Sequence, residues 1–255
     1  MKLTNKELFE FLESKYDQYN THSFIEPDPI LVPHQFTRKE DIEISAFLTA
    51  TISWGNRTSI VKDAMQMVQL MDMAPYDFMM NAEGAELRSL RSFCHRTFNG
   101  EDFIYFLNSL KHIYTAHGGP EAAFTMKPGE SLKESITGFR EKFLEVLHPS
   151  RMEKHIADPE RGSAAKRILM FLRWMVRNDR RGVDFGLWKS ISPASLMCPL
   201  DIHSGNVARK LGLLQRNTND WRAVEELTAA LREFDPLDPV KYDFALFGLG
   251  VFEGF

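Results

Sequence analysis

The segment from Pro199 to Leu214 reads Pro-Leu-Asp-Ile-His-Ser-Gly-Asn-Val-Ala-Arg-Lys-Leu-Gly-Leu-Leu. Its apolar residues Val207, Ala208 and Leu211 recur at the spacing of one helix face. Asp201 stands directly before this helix and follows a mainly apolar approach. The pattern therefore predicts a helix whose first turn lies beside a partly desolvated carboxylate.

Asp201 has two interpretations, and the residues alone leave both open. Aspartate is among the commonest N-cap residues, because its side chain accepts hydrogen bonds from the first amides of a helix. A carboxylate held near those amides in apolar surroundings can also direct its charge at a cation that develops during a reaction. Asp201 is therefore expected to be either a structural cap or a catalytic carboxylate.

Length and composition indicate a soluble globular protein. The 255 residues are 44% hydrophobic, which is enough for a sizeable core. No apolar run is long enough to span a membrane, and the N-terminus lacks the apolar segment of a signal peptide. We therefore expect a cytoplasmic monomer without a membrane partner.

Metal and cofactor chemistry is not indicated by the sequence. The two cysteines, Cys94 and Cys198, cannot supply a four-thiolate cluster, and a disulfide between them is not expected in the cytoplasm. His95, His112 and His117 lack a typical metal-ligand spacing. We therefore expect neither a metal nor a cofactor.

Charge is unevenly distributed along the chain. The formal net charge of −4 argues against general attraction to nucleic acid. Between Arg161 and Arg181, however, seven basic residues accompany a single acid, Asp179. This basic segment is interpreted either as an ordinary solvated face or as a DNA-binding surface that includes Arg173 and Arg177.

Helical periodicity dominates the chain, and no stretch alternates as strands do over more than a few residues. Clear examples are a helix over residues 101–117 and another that begins at Asp220. Capping boxes Thr37-x-x-Glu40 and Ser131-x-x-Glu134 predict two more helix starts. We predict an all-α fold of two helical lobes with a cleft between them. Residues 35–150 would form one lobe and 151–255 the other, with the helix and loop of residues 1–34 packed on the second lobe.

Two further stretches lead into amphipathic helices. Residues 46–57, Ala-Phe-Leu-Thr-Ala-Thr-Ile-Ser-Trp-Gly-Asn-Arg, end one helix in a turn and lead to the next. Gly162 closes a charged, hairpin-like loop and precedes Lys166 in the first turn of an apolar helix, where helix amides can bind a phosphate. Lys166 and Asp201 are 35 positions apart. The residues between them are predicted to loop outward while both helix starts stay packed.

The stretch Pro-Leu-Asp-x-His, followed by a basic helix ending in Lys-Leu-Gly-Leu, resembles the segment that carries the catalytic aspartate in the helix-hairpin-helix DNA glycosylase superfamily. Gly162 and Lys166 resemble its phosphate-gripping hairpin and the nucleophilic lysine of its bifunctional members, although the usual Gly-x-Gly is absent. Residues 241–250 resemble its closing apolar helix. The archaeal 8-oxoguanine glycosylases are the most similar members, and an uncharacterised bacterial family is expected to be closer still.

The resemblance implies a DNA base-excision glycosylase, with or without abasic-site lyase activity, acting on double-stranded DNA that carries a flipped, 8-oxoguanine-like base. Lys166 would be the nucleophile, and Asp201 would stabilise positive charge on the sugar. The implied DNA contacts come from Gly162, Arg167, Asn206, Arg209, Lys210, Thr51, Asn56 and Arg57. The implied base pocket contains Trp54, Trp174, Trp188 and His203.

Several alternatives stay open. Thr51 stands near where many members of that superfamily have Gln or Asn, so Asn56 and Arg57 are alternative candidates for the residue that fills the gap of an extruded base. Asn56 and Arg57 also suit an ordinary helix corner, as a C-cap and a solvated charge. The net negative charge and the missing Gly-x-Gly favour a non-catalytic nucleic-acid or protein binding module. A helical enzyme acting on a small molecule is a third possibility.

Overall fold

A computed structural model describes residues 3–255 and shows a mostly helical chain, which confirms the all-α class. In this range the chain forms twelve α-helices, short 3-10 turns and one antiparallel hairpin of strands β1 (Cys94–His95) and β2 (Phe98–Asn99). The helices are α1 (Asn5–Tyr19), α2 (Lys39–Thr51), α3 (Arg57–Leu70), α4 (Pro75–Asn81), α5 (Gly84–Ser89), α6 (Gly100–Ala116), α7 (Pro120–Phe124), α8 (Leu132–Phe143), α9 (Lys166–Val176), α10 (Ile202–Leu211), α11 (Trp221–Arg232) and α12 (Asp243–Phe252). Among these described helices, none has the length and apolar character needed to cross a membrane.

The chain divides into two compact units. The terminal unit contains the residues up to Phe24, Ser131–Lys133 and Asp158–Phe255. The central unit contains Ile25–Glu130 and Glu134–Ala157. The lobe boundaries expected from the sequence, after residues 34 and 150, stay a prediction.

Helix α12 is the centre of the terminal unit. It is apolar almost throughout, and Phe244, Leu246 and Leu249 are buried. It packs against both α1 and α10, as a helix that is apolar on most faces requires. Gly248 permits the close approach of α1, because a Cβ atom at this position would lie 2.1 Å from the Tyr19 ring.

Helix α2 is the corresponding buried helix of the central unit. All residues from 42 to 51 are buried, and α2 packs against α3 and α4. Phe47 joins an aromatic cluster with Phe106, Phe139 and Phe143, with ring centroids 5.5–6.1 Å from its own. The central unit therefore has its own hydrophobic core, built around α2.

The start of α2 differs from the prediction. Arg38 is the N-cap and makes no side-chain cap hydrogen bond, so the predicted capping box at Thr37 is wrong. Arg38 instead forms an ion pair with Asp77 at 2.9 Å and lies over the Tyr76 ring. Tertiary contacts thus accompany this helix start in place of a side-chain cap.

The hairpin strands were not predicted, because two residues per strand are too few for an alternating pattern.

The residues between α9 and α10 do not loop outward as predicted. Val183, Trp188 and Leu200 in this interval are buried. The Trp188 amide donates a hydrogen bond to the Met175 carbonyl near the end of α9, at 2.9 Å. The interval therefore folds back along α9 and forms part of the core of the terminal unit.

Replacing Gly248 by alanine should destabilise the terminal unit, because the new methyl group would meet the Tyr19 ring. We expect the free energy of unfolding to fall by about 1–3 kcal/mol, the usual cost of overpacking. Gly138→Ala is the matched control, since it lies inside α8 and nothing lies within 4 Å of its Cβ position. Its better helix propensity should raise stability by about 1 kcal/mol. Denaturant titrations measure both variants, and equal effects would contradict the close packing of α1 on α12.

Candidate functional site

Lys166 is the first residue of α9, and a tight loop positions it. Gly162 and Ala165 have positive φ angles of 86° and 48°, so the chain turns sharply twice before the helix. Glycine adopts this conformation readily, whereas alanine adopts it only under constraint. The Ala165 amide donates to the Ser163 hydroxyl at 3.2 Å, and the Trp221 amide donates to the Gly162 carbonyl at 3.1 Å. The second bond ties the loop to the start of α11.

Asp201 is the N-cap of α10, as one of its two interpretations requires. Its Oδ1 accepts hydrogen bonds from the amide and the hydroxyl of Ser204, at 3.0 and 3.2 Å. The Asp201 amide donates to the Ser204 hydroxyl at 3.0 Å, and Asn219 Nδ2 donates to the Asp201 carbonyl at 2.9 Å. The main chain and one carboxylate oxygen of Asp201 are thereby held in place.

The second carboxylate oxygen of Asp201 faces Lys166. Lys166 Nζ lies 3.8 Å from Asp201 Oδ2, and the two side chains are 29% and 27% exposed. The fold therefore brings these two sequence candidates together although 35 positions separate them. Because the cap uses Oδ1 and the ion pair uses Oδ2, the capping role of Asp201 does not exclude chemistry at its second oxygen.

A buried acid, Asp243, interacts electrostatically with this pair. It is the first residue of α12, and Arg173 donates a hydrogen bond to its Oδ2. Burial is the main cause that raises the pKa of Asp243 to about 6; the charge of Arg173 opposes this rise, and the charge of Asp201 adds to it. Asp243 therefore changes its protonation state close to neutral pH, next to the candidate pair.

Cys198 lies in the same electrostatic surroundings, as a buried thiol. Burial raises the pKa of its thiol well above the usual value, and the negative charge of Asp243 raises it further. A protonated thiol is a poor nucleophile. The Cys198 amide donates a hydrogen bond to the Thr228 hydroxyl at 3.0 Å. Cys94 is exposed, and both cysteines are free thiols.

Arg173 and Arg177 do not belong to a DNA-binding surface, which corrects that interpretation of the basic segment. Only 4% and 1% of their side chains are exposed. Asp184 accepts hydrogen bonds from Arg173 Nε at 3.2 Å and from Arg177 Nη1 at 3.0 Å. Arg177 also pairs with Asp179 and Asp238, both at 2.9 Å. Burial alone would lower the pKa of Arg177, but the charges of Asp184 and Asp238 raise it above its usual value.

The other predicted DNA contacts of the terminal unit differ in accessibility. Asn206 and Lys210 are exposed on α10. Arg209 instead braces the chain after α10, because its Nε donates to the Arg216 carbonyl at 2.8 Å. Arg167 is half-buried in the first turn of α9, and burial lowers its pKa to about 10. Asn206 and Lys210 are thus the more accessible of these candidates.

The central unit holds the candidates for the residue that would fill the gap of an extruded base. Thr51 is buried at the end of α2, so its side chain is not accessible to DNA in this structure. Asn56 is exposed and is the N-cap of α3, where its side chain accepts a hydrogen bond from the Ser59 amide at 3.2 Å. The C-cap interpretation of this corner is therefore corrected to an N-cap. Arg57 is the half-buried first residue of α3.

The four predicted base-pocket residues lie in different surroundings. Trp174 and Trp188 are buried core residues, with 0% and 1% exposure, so neither ring presents a face on which a base could stack. This corrects their assignment to a base pocket. Trp54 is half-buried in the central unit, edge-on to the His95 ring at 5.0 Å between centroids. His203 is exposed in the first turn of α10.

Asp243 is the residue of this site that sequence reasoning missed. It begins a run that resembles a purely apolar closing helix, in which it is the single acid. An acid that enters the core with such a helix needs a buried partner, because an unpaired buried charge is very costly. Arg173 is the corresponding cation within the apolar helix α9. A single acid in one apolar helix and a cation in another were the sequence signal that could have identified the buried Asp243–Arg173 pair.

The fold and the site together define a mostly helical protein in which a lysine and a carboxylate meet at the starts of two helices. The chain belongs to the family described as protein of unknown function (DUF2400), which matches residues 28–252. This match confirms the expectation of an uncharacterised family. Neither a curated protein nor a solved structure matches the chain.

The raised pKa of Asp243 predicts an unusual pH dependence of stability. The folded-state pKa of about 6 exceeds the unfolded value, so between about pH 4 and pH 6 the folded state binds the extra proton and loses stability as pH rises. The free energy of unfolding of the natural protein minus that of Asp243→Asn should therefore decrease from pH 4 to pH 7. We expect a change on the order of 1–3 kcal/mol, measured by denaturant titration at each pH.

Asp179→Asn is the control for this measurement. The pKa of Asp179 is lowered to about 2: burial opposes the shift, and the charge of Arg177 produces it. This carboxyl is ionised in both folded and unfolded states over most of the same pH window. The free energy of unfolding of the natural protein minus that of Asp179→Asn should therefore stay nearly constant. A stability difference for Asp243→Asn that increases with pH would contradict the raised pKa.

Proposed function

We propose that the protein is a DNA base-excision glycosylase with abasic-site lyase activity, in which Lys166 is the nucleophile and Asp201 the catalytic carboxylate. The observation that carries the proposal is the 3.8 Å distance between Lys166 Nζ and Asp201 Oδ2. Both side chains are partly exposed, and they are the two groups implied by the resemblance to helix-hairpin-helix glycosylases. The proposed substrate is duplex DNA with an 8-oxoguanine-like base extruded from the stack.

The proposed chemistry requires Lys166 as the free amine. Asp201 Oδ2 is the neighbouring base that takes the proton from the ammonium group. Nζ then attacks the anomeric carbon of the sugar, and the bond from this carbon to the base breaks. The base leaves with the bonding electrons and takes the proton from Asp201, which is thereby ionised again. Asp201 next transfers one proton from the alkylated Nζ to the ring oxygen as the bond from this oxygen to the anomeric carbon breaks, which gives a protonated Schiff base between Lys166 and the anomeric carbon.

An ionised Asp201 also favours loss of the base. Positive charge develops on the sugar as the bond to the base breaks, and a fixed negative charge beside it lowers the barrier. The hydrogen bonds from Ser204 to Oδ1 hold the carboxylate in one orientation, so its position need not change during the reaction. The capping contacts of Asp201 are thus compatible with the proposed catalytic role.

Asp243 and Arg173 are positioning residues in this proposal. The charge of Asp201 contributes to the raised pKa of Asp243. Arg173 adds a compensating positive charge through its hydrogen bond to Asp243. Its guanidinium is held over the Phe244 ring at 4.3 Å and by Asp184. Together these contacts fix a positive charge beside Asp243.

The loop before α9 supports a phosphate contact. Gly162 is exposed, and nothing lies within 4 Å of its Cβ position, so a DNA backbone can approach the main chain there. Ala165 provides no side-chain cap for the first amides of α9. Helix amides at such a start bind anions well. In the same loop Arg161 is largely exposed and adds a positive charge, although it pairs with Asp158 at 3.4 Å.

A non-catalytic binding module is the second candidate function, and the reciprocal capping contacts between Asp201 and Ser204 favour it. In this case the Lys166–Asp201 ion pair would only join the starts of α9 and α10. Neither side chain would then be required for a reaction, and substitutions would affect stability or binding alone. The two candidates therefore differ in what Lys166→Gln and Asp201→Asn should do.

Borohydride added during incubation with DNA that contains 8-oxoguanine or an abasic site should trap a covalent protein–DNA adduct, because reduction fixes the Schiff base. Lys166→Gln should abolish trapping, since it removes the nucleophile, while duplex binding persists with one positive charge fewer. Gel electrophoresis of the adduct and a binding titration measure the two effects.

Lys6→Gln is the charge-matched control, because Lys6 is 84% exposed on α1 and lies outside the proposed site. It should leave trapping unchanged. Undiminished trapping in Lys166→Gln would assign the nucleophile to another residue. Absence of any adduct with both DNA substrates in the natural protein would favour the binding module or a monofunctional enzyme.

Asp201→Asn should distinguish the capping role of Asp201 from its proposed catalytic role. Asparagine caps helices as well as aspartate does, so the melting temperature should change little. Loss of the charge at Oδ2 should reduce the rate of base release by about 100-fold or more, as removal of one fixed electrostatic group does in other enzymes. Asp220→Asn, at the N-cap of α11, is the matched control and should retain activity. A loss of activity no larger than expected from a loss of stability would return Asp201 to a purely structural role.

A further inference from the structure

Three polar side chains of the central unit converge at one point. His112 lies on α6, His117 directly follows the end of α6, and Glu145 lies in the turn after α8. The Nε2 atoms of the two histidines lie 2.6 and 2.9 Å from the same oxygen, Oε2 of Glu145. One ligand atom from each of the three residues lies within 4.8 Å of the other two.

The end of α6 explains how two histidines five positions apart can meet. Residues on one helix face recur every three or four positions, so a spacing of five does not bring side chains together within a regular helix. Here α6 ends at Ala116, and the chain path changes at His117. The two imidazole rings then stand edge-on, with centroids 5.2 Å apart. Both rings present Nε2 to the turn that carries Glu145.

The donor set has the chemistry of a transition-metal site. Imidazole nitrogen suits zinc, copper and nickel, whereas sites for magnesium and calcium are built from oxygen atoms. Two histidines and one glutamate are also the protein ligands of one common class of zinc site, in which water completes a tetrahedron. The three side chains here are partly exposed, at 32%, 22% and 50%, so water can reach the remaining position.

We propose that His112, His117 and Glu145 bind a divalent transition-metal ion of the Zn²⁺ class. The ion would lie between the two Nε2 atoms and a Glu145 carboxylate oxygen, with water as the fourth ligand. It would link the end of α6 to the turn after α8 within the central unit.

The metal-bound geometry requires shifts in the distances among the three ligand atoms, which now lie within 4.8 Å of one another. With zinc–ligand bonds of about 2.0–2.2 Å, tetrahedral donor atoms lie about 3.3–3.5 Å apart. The observed nitrogen–oxygen distances of 2.6 and 2.9 Å must therefore open by less than about 1 Å. The exposed Glu145 side chain can make this shift. Each histidine must also present the lone pair of Nε2, so its proton moves to Nδ1 or is released.

Zinc titration of tag-free protein, stripped with a chelator and dialysed, tests the proposal. Isothermal calorimetry should show one Zn²⁺ per chain with micromolar or tighter affinity, and Mg²⁺ should not compete. His117→Gln and Glu145→Gln should each weaken Zn²⁺ binding by about tenfold or more, since each removes a direct ligand. Co²⁺ added in place of Zn²⁺ should give the strong visible absorption of a tetrahedral site, which His117→Gln should abolish.

His22→Gln is the matched control, because His22 is an exposed histidine of the terminal unit and its loss should leave the stoichiometry and affinity unchanged. Circular dichroism checks that each variant is folded, and the exposed position of Glu145 makes Glu145→Gln the variant least able to disturb the fold. No zinc binding by the natural protein would overturn the proposal and leave a metal-free His–Glu–His hydrogen-bonded cluster. Binding that survives both His117→Gln and Glu145→Gln unchanged would overturn it too, by placing the ion elsewhere.

Discussion

The ion pairs of Arg173 and Arg177 with Asp184 constrain the whole terminal unit. Both guanidinium groups enter the core with α9, and charges buried in this way need partners, because removal of one partner costs about 3–5 kcal/mol. Asp184 lies in the interval between α9 and α10, so these pairs hold the interval against α9. Asp201 follows this interval. Two arginines that are almost fully buried thus hold the segment that leads to Asp201.

Helical periodicity was enough to predict the all-α class and several of the helices. The helix expected over residues 101–117 is α6, Gly100–Ala116, and Asp220 is the N-cap of α11 as its sequence position suggested. These elements follow from a local cause, the repeat of apolar residues on one face. The meeting of Lys166 with Asp201 was also expected, although the reason given for it, an interval that loops outward, was wrong.

Features that depend on distant partners could not be predicted from local patterns. A count of charges from Arg161 to Arg181 indicates a basic surface, because the balancing acids Asp184 and Asp238 lie further along the chain. The buried position of Asp243 could not be predicted for the same reason, since its partner Arg173 is 70 positions away. The two roles of Asp201 could not be separated either. Cap and catalyst both require a carboxylate before a helix, and only the structure shows that the cap uses Oδ1 while Oδ2 faces Lys166.

The tryptophans are divided unevenly between the two units. Trp174, Trp188 and Trp221 are buried in the terminal unit, and Trp54 lies half-buried in the central unit as its one tryptophan. Indole emission reports the surroundings of each ring, and three of the four rings report on the terminal unit. With phenylalanine in place of Trp54, the signal would come from the terminal unit alone. The chain thus carries a built-in spectroscopic probe that can separate the unfolding of one unit from that of the other.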